Sequence, residues 1–134
     1  MKKKDELTNL LKKVQADFEN YKKRVDKEKQ QFMEFSNQEF VKNLLPVLDS
    51  FDFALKNDEN KEIKALYDQF WQLLSSQGLS KIEALGKKFD PFFHEALMQE
   101  KSDKEEGVVL EELQTGYLFK ENVLRHTKVK VSKK

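Results

Sequence analysis

The chain has 134 residues, 37% of them charged and 38% apolar, with 25 Lys and Arg set against 24 Asp and Glu. So even a balance argues against a dedicated binder of nucleic acid or anionic membrane, which carries a clear basic excess. Cysteine is absent, which removes a disulfide framework, a thiolate metal site and a cysteine nucleophile.

No apolar run approaches the roughly 20 residues of a membrane span. The segment MKKKDELTNLL has basic residues but no apolar core and soon turns acidic, so no export signal is expected and the cytoplasm is the default. Glycine divides the chain. Gly78, Gly86, Gly107 and Gly116 all fall in the second half, and before Gly78 the only helix breaker is Pro46. The first half is therefore predicted to be helical and the second to turn often.

Leu7, Leu11, Val14, Phe18, Tyr21 and Val25 are spaced alternately by 4 and 3, an a/d seam flanked by charges such as Lys12, Lys13, Asp17 and Asp26. Glu28 interrupts the seam, Phe32 and Phe35 restore it, and the stripe then drifts to Phe40, Leu44 and Leu48, as in a helix that runs nearly straight. From Leu7 to Phe35 such a helix is roughly 43 Å long at 1.5 Å per residue. Its narrow stripe needs a cover, either a second copy or another helix of this chain. The other helical segments are short, so self-association is the better fit. Phe18, Tyr21, Phe32 and Phe35 pack less regularly than leucine, which leads us to expect a seam that loosens on heating.

In NLLPVLDSFDFAL, Leu44, Leu45, Leu48, Phe51 and Leu55 are at helical spacing. Pro46 removes a backbone donor and crowds the preceding turn, so a kink or a fresh helix start is expected there. A polar turn, KNDENKE, leads to a second helix with Ile63, Leu66, Tyr67, Phe70, Leu73 and Leu74 on one face and Gly78 beyond its end. Two short amphipathic helices are half of a four-helix bundle, which a second hairpin completes. Trp71 reads as core or bundle rim.

After Gly78 the period changes. GVVLEELQTGYLF is rich in β-branched residues, and HTKVKVS puts Val129 and Val131 on one face and Lys128 and Lys130 on the other. Segment 102–106, SDKEE, reads as a solvated loop. A small antiparallel β domain follows, which leans on the helices because it is marginal alone.

FDPFFHEAL concentrates Asp90, His94 and Glu95, so it raises the question of a catalytic or metal site. Two ligands do not make a metal site, and the only other histidine is His126. A serine nucleophile has no elbow glycines, and there is no glycine-rich phosphate loop. The alternative reading is a short helix capped by Asp90 with Pro91 at its first position, presenting Phe89, Phe92 and Phe93 partly to the core and partly to a partner. We therefore read no enzyme here, no metal and no cofactor.

Four segments, VQADFENYKKR (14–24), LLPVLDSFDFAL (44–55), GLSKIEALGKKFDPFFHEAL (78–97) and TGYLFKENVLRHTKVKVS (115–132), resemble the GrpE family of nucleotide-exchange factors in order and spacing. The resemblance covers almost the whole chain. It implies an α+β homodimer in three parts: a long paired dimerisation helix (1–43), a helical hairpin of a dimeric four-helix bundle (44–78), and a small β domain (79–134). It implies one partner, the nucleotide-binding domain of a DnaK-type heat-shock chaperone, whose cleft the protein opens to speed ADP release. Unfolded client protein is reached only indirectly, and nucleic acid and membrane are not partners. A bacterial cytoplasm is implied ahead of a mitochondrial or plastid matrix.

Carried over residue by residue, the resemblance gives Phe89, Pro91, Leu113 and Val131 of the β domain, with Lys23 and Arg24 of the long helix, as chaperone contacts. Asp90, His94, Glu95, Gly116 and Arg125 match supporting motif positions. The dimer seam is Leu7, Leu11, Val14, Phe18, Tyr21, Val25, Phe32 and Phe35. The bundle core is Leu44, Leu48, Phe51, Leu55, Leu66, Phe70 and Leu73. Thr115, Asn122 and His126-Thr127 depart from the common family pattern and bear on contact strength. If the aromatic seam melts reversibly, the long helices would act as a thermosensor.

Overall fold

The computed structural model describes residues 2–133. Helix α1 runs Lys2–Asn57 and helix α2 Lys61–Ser76, and six strands follow. The chain divides between Glu39 and Phe40 into two compact units.

The first unit is helical throughout its described residues, and none of their side chains is buried. The absence of glycine and proline before residue 46 accounts for the unbroken helix. All eight predicted seam residues are 37 to 70% exposed, an apolar stripe uncovered within this chain.

In the second unit the stripe that becomes buried is Val41, Leu45 and Leu48, at i, i+4 and i+7. Of the residues on the predicted drift, Phe40 is 65% exposed, like the seam residues before it, and Leu44 packs partly buried against this core. The helix does not restart at Pro46, which lies inside α1. Leu45 and Leu48, buried on either side of it, hold both flanks to the core, and the Ser50 hydroxyl donates to the Pro46 carbonyl at 3.0 Å. Hence the hairpin's first arm is the end of α1, not a separate short helix.

Asn60 starts α2 by accepting from the Glu62 and Ile63 N–H groups, at 2.9 and 3.3 Å. After the C-cap Gln77, Gly78 takes φ +114, the left-handed conformation that ends helices at this position.

Strands β1 (Leu79–Lys81), β4 (Tyr117–Phe119) and β5 (Asn122–Arg125) form an antiparallel sheet in the order β1-β4-β5. Strands β2 (His94–Lys101), β6 (Thr127–Lys133) and β3 (Val109–Gln114) form the other, in the order β2-β6-β3. The β3–β6 pair is antiparallel but β2–β6 is parallel, so this second sheet is mixed where an antiparallel domain was expected.

There are two cores. Val41, Leu45, Leu48 and Leu74 of the helices pack with Leu79, Tyr117, Phe119 and Leu124 of the first sheet. Leu48, named above for the bundle core, is fully buried in this core within one chain. Ala84, Val109, Val129 and Val131 form the second core, with Phe89 against it. The alternation in β6 is as expected, with Val129 and Val131 buried and Lys128 and Lys130 part-exposed. Lys130 pairs with Glu100 of β2 at 3.2 Å and Glu111 of β3 at 3.1 Å, tying the three strands across their solvent side. The loop at 102–106 is solvated apart from part-buried Ser102.

Candidate functional site

The FDP turn is a surface feature of the β domain held by several backbone hydrogen bonds. Its approach is stitched to the strand leading into β3: the Phe89 N–H donates to the Gly107 carbonyl at 2.7 Å, and the Val109 N–H to the Lys87 carbonyl at 2.8 Å. The Asp90 carbonyl accepts from the N–H groups of Phe93 and His94, at 3.0 and 2.8 Å. Its carboxylate accepts from the Phe92 N–H at 3.0 Å. This is the capping chemistry the sequence leads one to expect, but no helix follows. After one turn the Thr127 N–H donates to the Phe93 carbonyl and His94 opens β2, so pairing with β6 replaces the predicted short helix.

Pro91, which has no N–H to satisfy, lies exposed at the crest of the turn. Phe92 is 64% exposed and meets Phe93 edge-on, with ring centroids 4.7 Å apart. Phe89 is half-buried against the second core. The aromatic cluster therefore divides: Phe89 anchors, Phe93 is half-buried, and Phe92 is presented.

His94 is buried, and its Nδ1 accepts the Asp90 N–H at 2.9 Å. That lone pair is committed to the backbone, which places the ring proton on Nε2. Desolvation lowers the imidazole's pKa from 6.5; Asp90 and Glu112 oppose the shift, and Lys87 and His126 add to it. The histidine closes the turn as a neutral acceptor. Among the described residues no group of three or more His, Asp or Glu side chains could hold a metal ion. Glu95 and Ala96 are exposed on β2.

Val131 is far less exposed than Pro91. At 5% exposure it is part of the second core, its side chain on the buried face of β6. Leu113 on β3 is 39% exposed and lines an open cleft of about 330 Å³ with Asp49, Asp52, Phe53 and Lys56 of α1. Asp52, beside that cleft, is pushed up from the ordinary carboxylate value by burial and by Asp49, with Lys81 and Arg125 pulling the other way. Lys23 and Arg24 lie in the first unit, both exposed, with the Arg24 guanidinium 5.3 Å from the Tyr21 ring centroid.

Gly116 is buried, and a side chain there would run into the Thr127 backbone and hydroxyl and the Arg125 carbonyl. Only a glycine lets these strands approach so closely. On the hairpin, Phe51 meets Tyr67 and Phe70, at 5.8 and 6.1 Å between centroids, and Leu55 is half-buried. Leu66 and Leu73 stay 58 and 64% exposed, so the predicted bundle core is unfilled within one chain. Trp71 packs at the rim of the first core, its ring 6.1 Å from that of Tyr117.

Two carboxylates were not singled out from the sequence. Glu112 accepts from the Ala84 and Leu85 N–H groups at 2.9 and 3.1 Å and so fixes the loop after β1. Asp49 forms a forked ion pair with Arg125. Nothing local marks Glu112, whose partners are 27 and 28 positions away. Asp49 did have a signal, since it ends LLPVLD, but its partner is 76 positions on.

A long exposed amphipathic helix, a short helical hairpin and a two-sheet β module with a hydrogen-bonded aromatic turn make this an α+β protein. The family model described as GrpE matches residues 1–133. Protein GrpE of Methanothrix thermoacetophila is 43% identical over 130 residues, covering 96% of this chain and 72% of that protein. Protein GrpE of Methanothermobacter thermautotrophicus is 39% identical over 132 residues, covering 96% and 76%. That of Carboxydothermus hydrogenoformans is 46% identical over 126 residues, covering 89% and 65%. The chain belongs to the GrpE family, known as nucleotide-exchange co-chaperones of DnaK. No helix among the described residues is long and apolar enough to cross a membrane.

Proposed function

We propose that this chain is a cytoplasmic nucleotide-exchange factor that binds the nucleotide-binding domain of a DnaK-type chaperone as a homodimer, opens its cleft and accelerates ADP release. The observation that carries the reading is the FDP turn, whose backbone is hydrogen-bonded on both sides of its crest while Pro91 and Phe92 are exposed. Pro91, the edge of Phe89 and Leu113 make the β-domain contact, and Lys23 and Arg24 add charge from the long helix. Val131 supports this surface from beneath.

Exchange of this kind makes and breaks no bond. A surface that binds the open cleft better than the closed one shifts the population toward open, and nucleotide weakens its binding by the same factor. A thousandfold effect requires about 4 kcal/mol of differential contact. A rigid turn suits that task because little of its contact energy is lost to ordering. The uncovered stripe on α1 and the exposed Leu66 and Leu73 fit a second copy of the chain. The aromatic seam, interrupted by Glu28, would let that pairing loosen on heating and act as a thermal control.

Stopped-flow release of a fluorescent ADP from a cognate DnaK-type chaperone tests the reading. Wild type is expected to accelerate release strongly, and a Pro91→Ala/Leu113→Ser variant to lose most of the acceleration while remaining folded. No acceleration by well-folded wild type would remove the exchange reading and leave a dimeric scaffold.

A further inference from the structure

Asp49 and Arg125 meet across the junction between the hairpin and the first sheet. Arg125 Nη1 donates to Asp49 Oδ2 at 2.7 Å and Nη2 to Oδ1 at 2.8 Å, a two-pronged bond between planar groups. The same guanidinium donates to the Thr115 carbonyl, from Nε at 3.1 Å and from Nη2 at 2.5 Å, and lies 5.4 Å from the Tyr117 ring centroid. The two side chains are only 19 and 31% exposed. Arg125 ends β5, one edge of its sheet. The opposite edge, β1, has its own tie: Lys81 Nζ donates to the Tyr67 hydroxyl at 2.7 Å and lies 4.9 Å from the Trp71 ring centroid.

The sheet is attached to the helices by an apolar core, Leu45 and Leu48 against Tyr117 and Leu124 among others. Apolar attraction is non-directional and fixes no angle. The fork at Arg125 is directional, since it is made only when the two planes align. We propose that Asp49 and Arg125 are positioning residues: their clamp sets the angle of the β domain on the hairpin, and that angle sets how far a bound chaperone's cleft is opened. The inference rests on the exchange reading above. It separates two properties of the surface, affinity from the FDP turn and leverage from the clamp.

The cysteine-free sequence makes the test direct. Spin labels at Lys64→Cys on α2 and Glu121→Cys at the tip between β4 and β5, in dimers diluted with unlabelled chain, report the angle as a distance distribution. Chaperone affinity and the saturating rate of ADP release are measured on the same proteins. Asp49→Asn is expected to broaden the distribution and lower the saturating rate by roughly 2- to 30-fold, with affinity held within about threefold. Asp49→Glu, which can remake the fork, should recover much of the rate. Arg125→Lys, which keeps the charge but loses the fork, should behave like Asp49→Asn and serves in its place should that variant fold poorly.

An unchanged distribution in Asp49→Asn overturns the clamp. A broadened distribution with an unchanged saturating rate overturns its link to exchange, as does a loss of affinity in parallel with rate. Wild type without exchange activity is a different failure. It removes the functional reading and the leverage with it, while the distances still judge the clamp.

Discussion

His94 shows how one residue couples a loop's shape to protonation. Its Nδ1 accepts the Asp90 N–H, so an imidazolium, which has no lone pair there, must break that bond. Its folded pKa lies below the ordinary 6.5 because burial disfavours the charged ring. Between the folded value and 6.5 the unfolded chain therefore binds more protons than the folded one, and stability rises with pH. The contribution is complete above 6.5 and disappears as pH falls through the folded value. The denaturant midpoint is expected to drop between about pH 7.5 and about pH 5, and the drop should shrink in His94→Gln, whose amide oxygen can still accept. An equal drop in both proteins would assign the effect to carboxylates elsewhere. The sequence pointed to a supporting role for His94, because no further ligand or nucleophile stands near it in the chain. Its acceptor role was not legible, because the side chain reaches back four positions to a backbone group that a helix would have used otherwise.

Elements were legible where their signals are local. The seam spacing, the polar turn before α2 and the glycine after it each act within a few residues, and each element stands where the pattern puts it. Asn60 can be weighed on its own: it satisfies two donors at the start of α2, so Asn60→Ala should lower stability by about 1 kcal/mol. A urea titration reads this as a lower midpoint at unchanged slope, and no shift would mean that the end of α2 is already frayed. Pattern failed where tertiary contact overrode it. Pro46 argues for a break, yet burial of Leu45 and Leu48 holds the helix through it. Asp90-Pro91 argues for a helix start, yet β6 captures the chain after one turn. The parallel pairing of β2 with β6 had no signal, since alternation gives a strand's faces but not its neighbour or direction.

At the scale of the molecule, apolar surface without a cover is the dominant fact. Eight seam residues and two of the hairpin's leucines are exposed in one chain, more than scattered surface leucines account for. Placing two acids in the seam, Leu11→Asp with Phe18→Asp, is expected to weaken the proposed dimer so that sedimentation reports monomer at low concentration, with the β domain still folded by near-ultraviolet dichroism. On heating the wild type, far-ultraviolet dichroism should record loss of helix before the near-ultraviolet signal of the β domain falls. One coincident transition would remove the thermal control. The α+β class was readable from the change of period after Gly78. The two-core arrangement was not, because it depends on which sheet the hairpin's buried face meets.

Strand β6 has a consequence for the order of assembly. It is the middle strand of its sheet, between β2 and β3, although it is the last of the three to be synthesised. Leu79 likewise waits for Phe119, its partner 40 positions later. Non-local pairings of this kind form late, whereas a helix and a hairpin need only near neighbours. On the ribosome, α1 and α2 can therefore be in place while the FDP turn still has no complete sheet behind it. Until β6 has emerged, β2 and β3 have no strand between them to pair with, and the turn that opens β2 has no fixed frame.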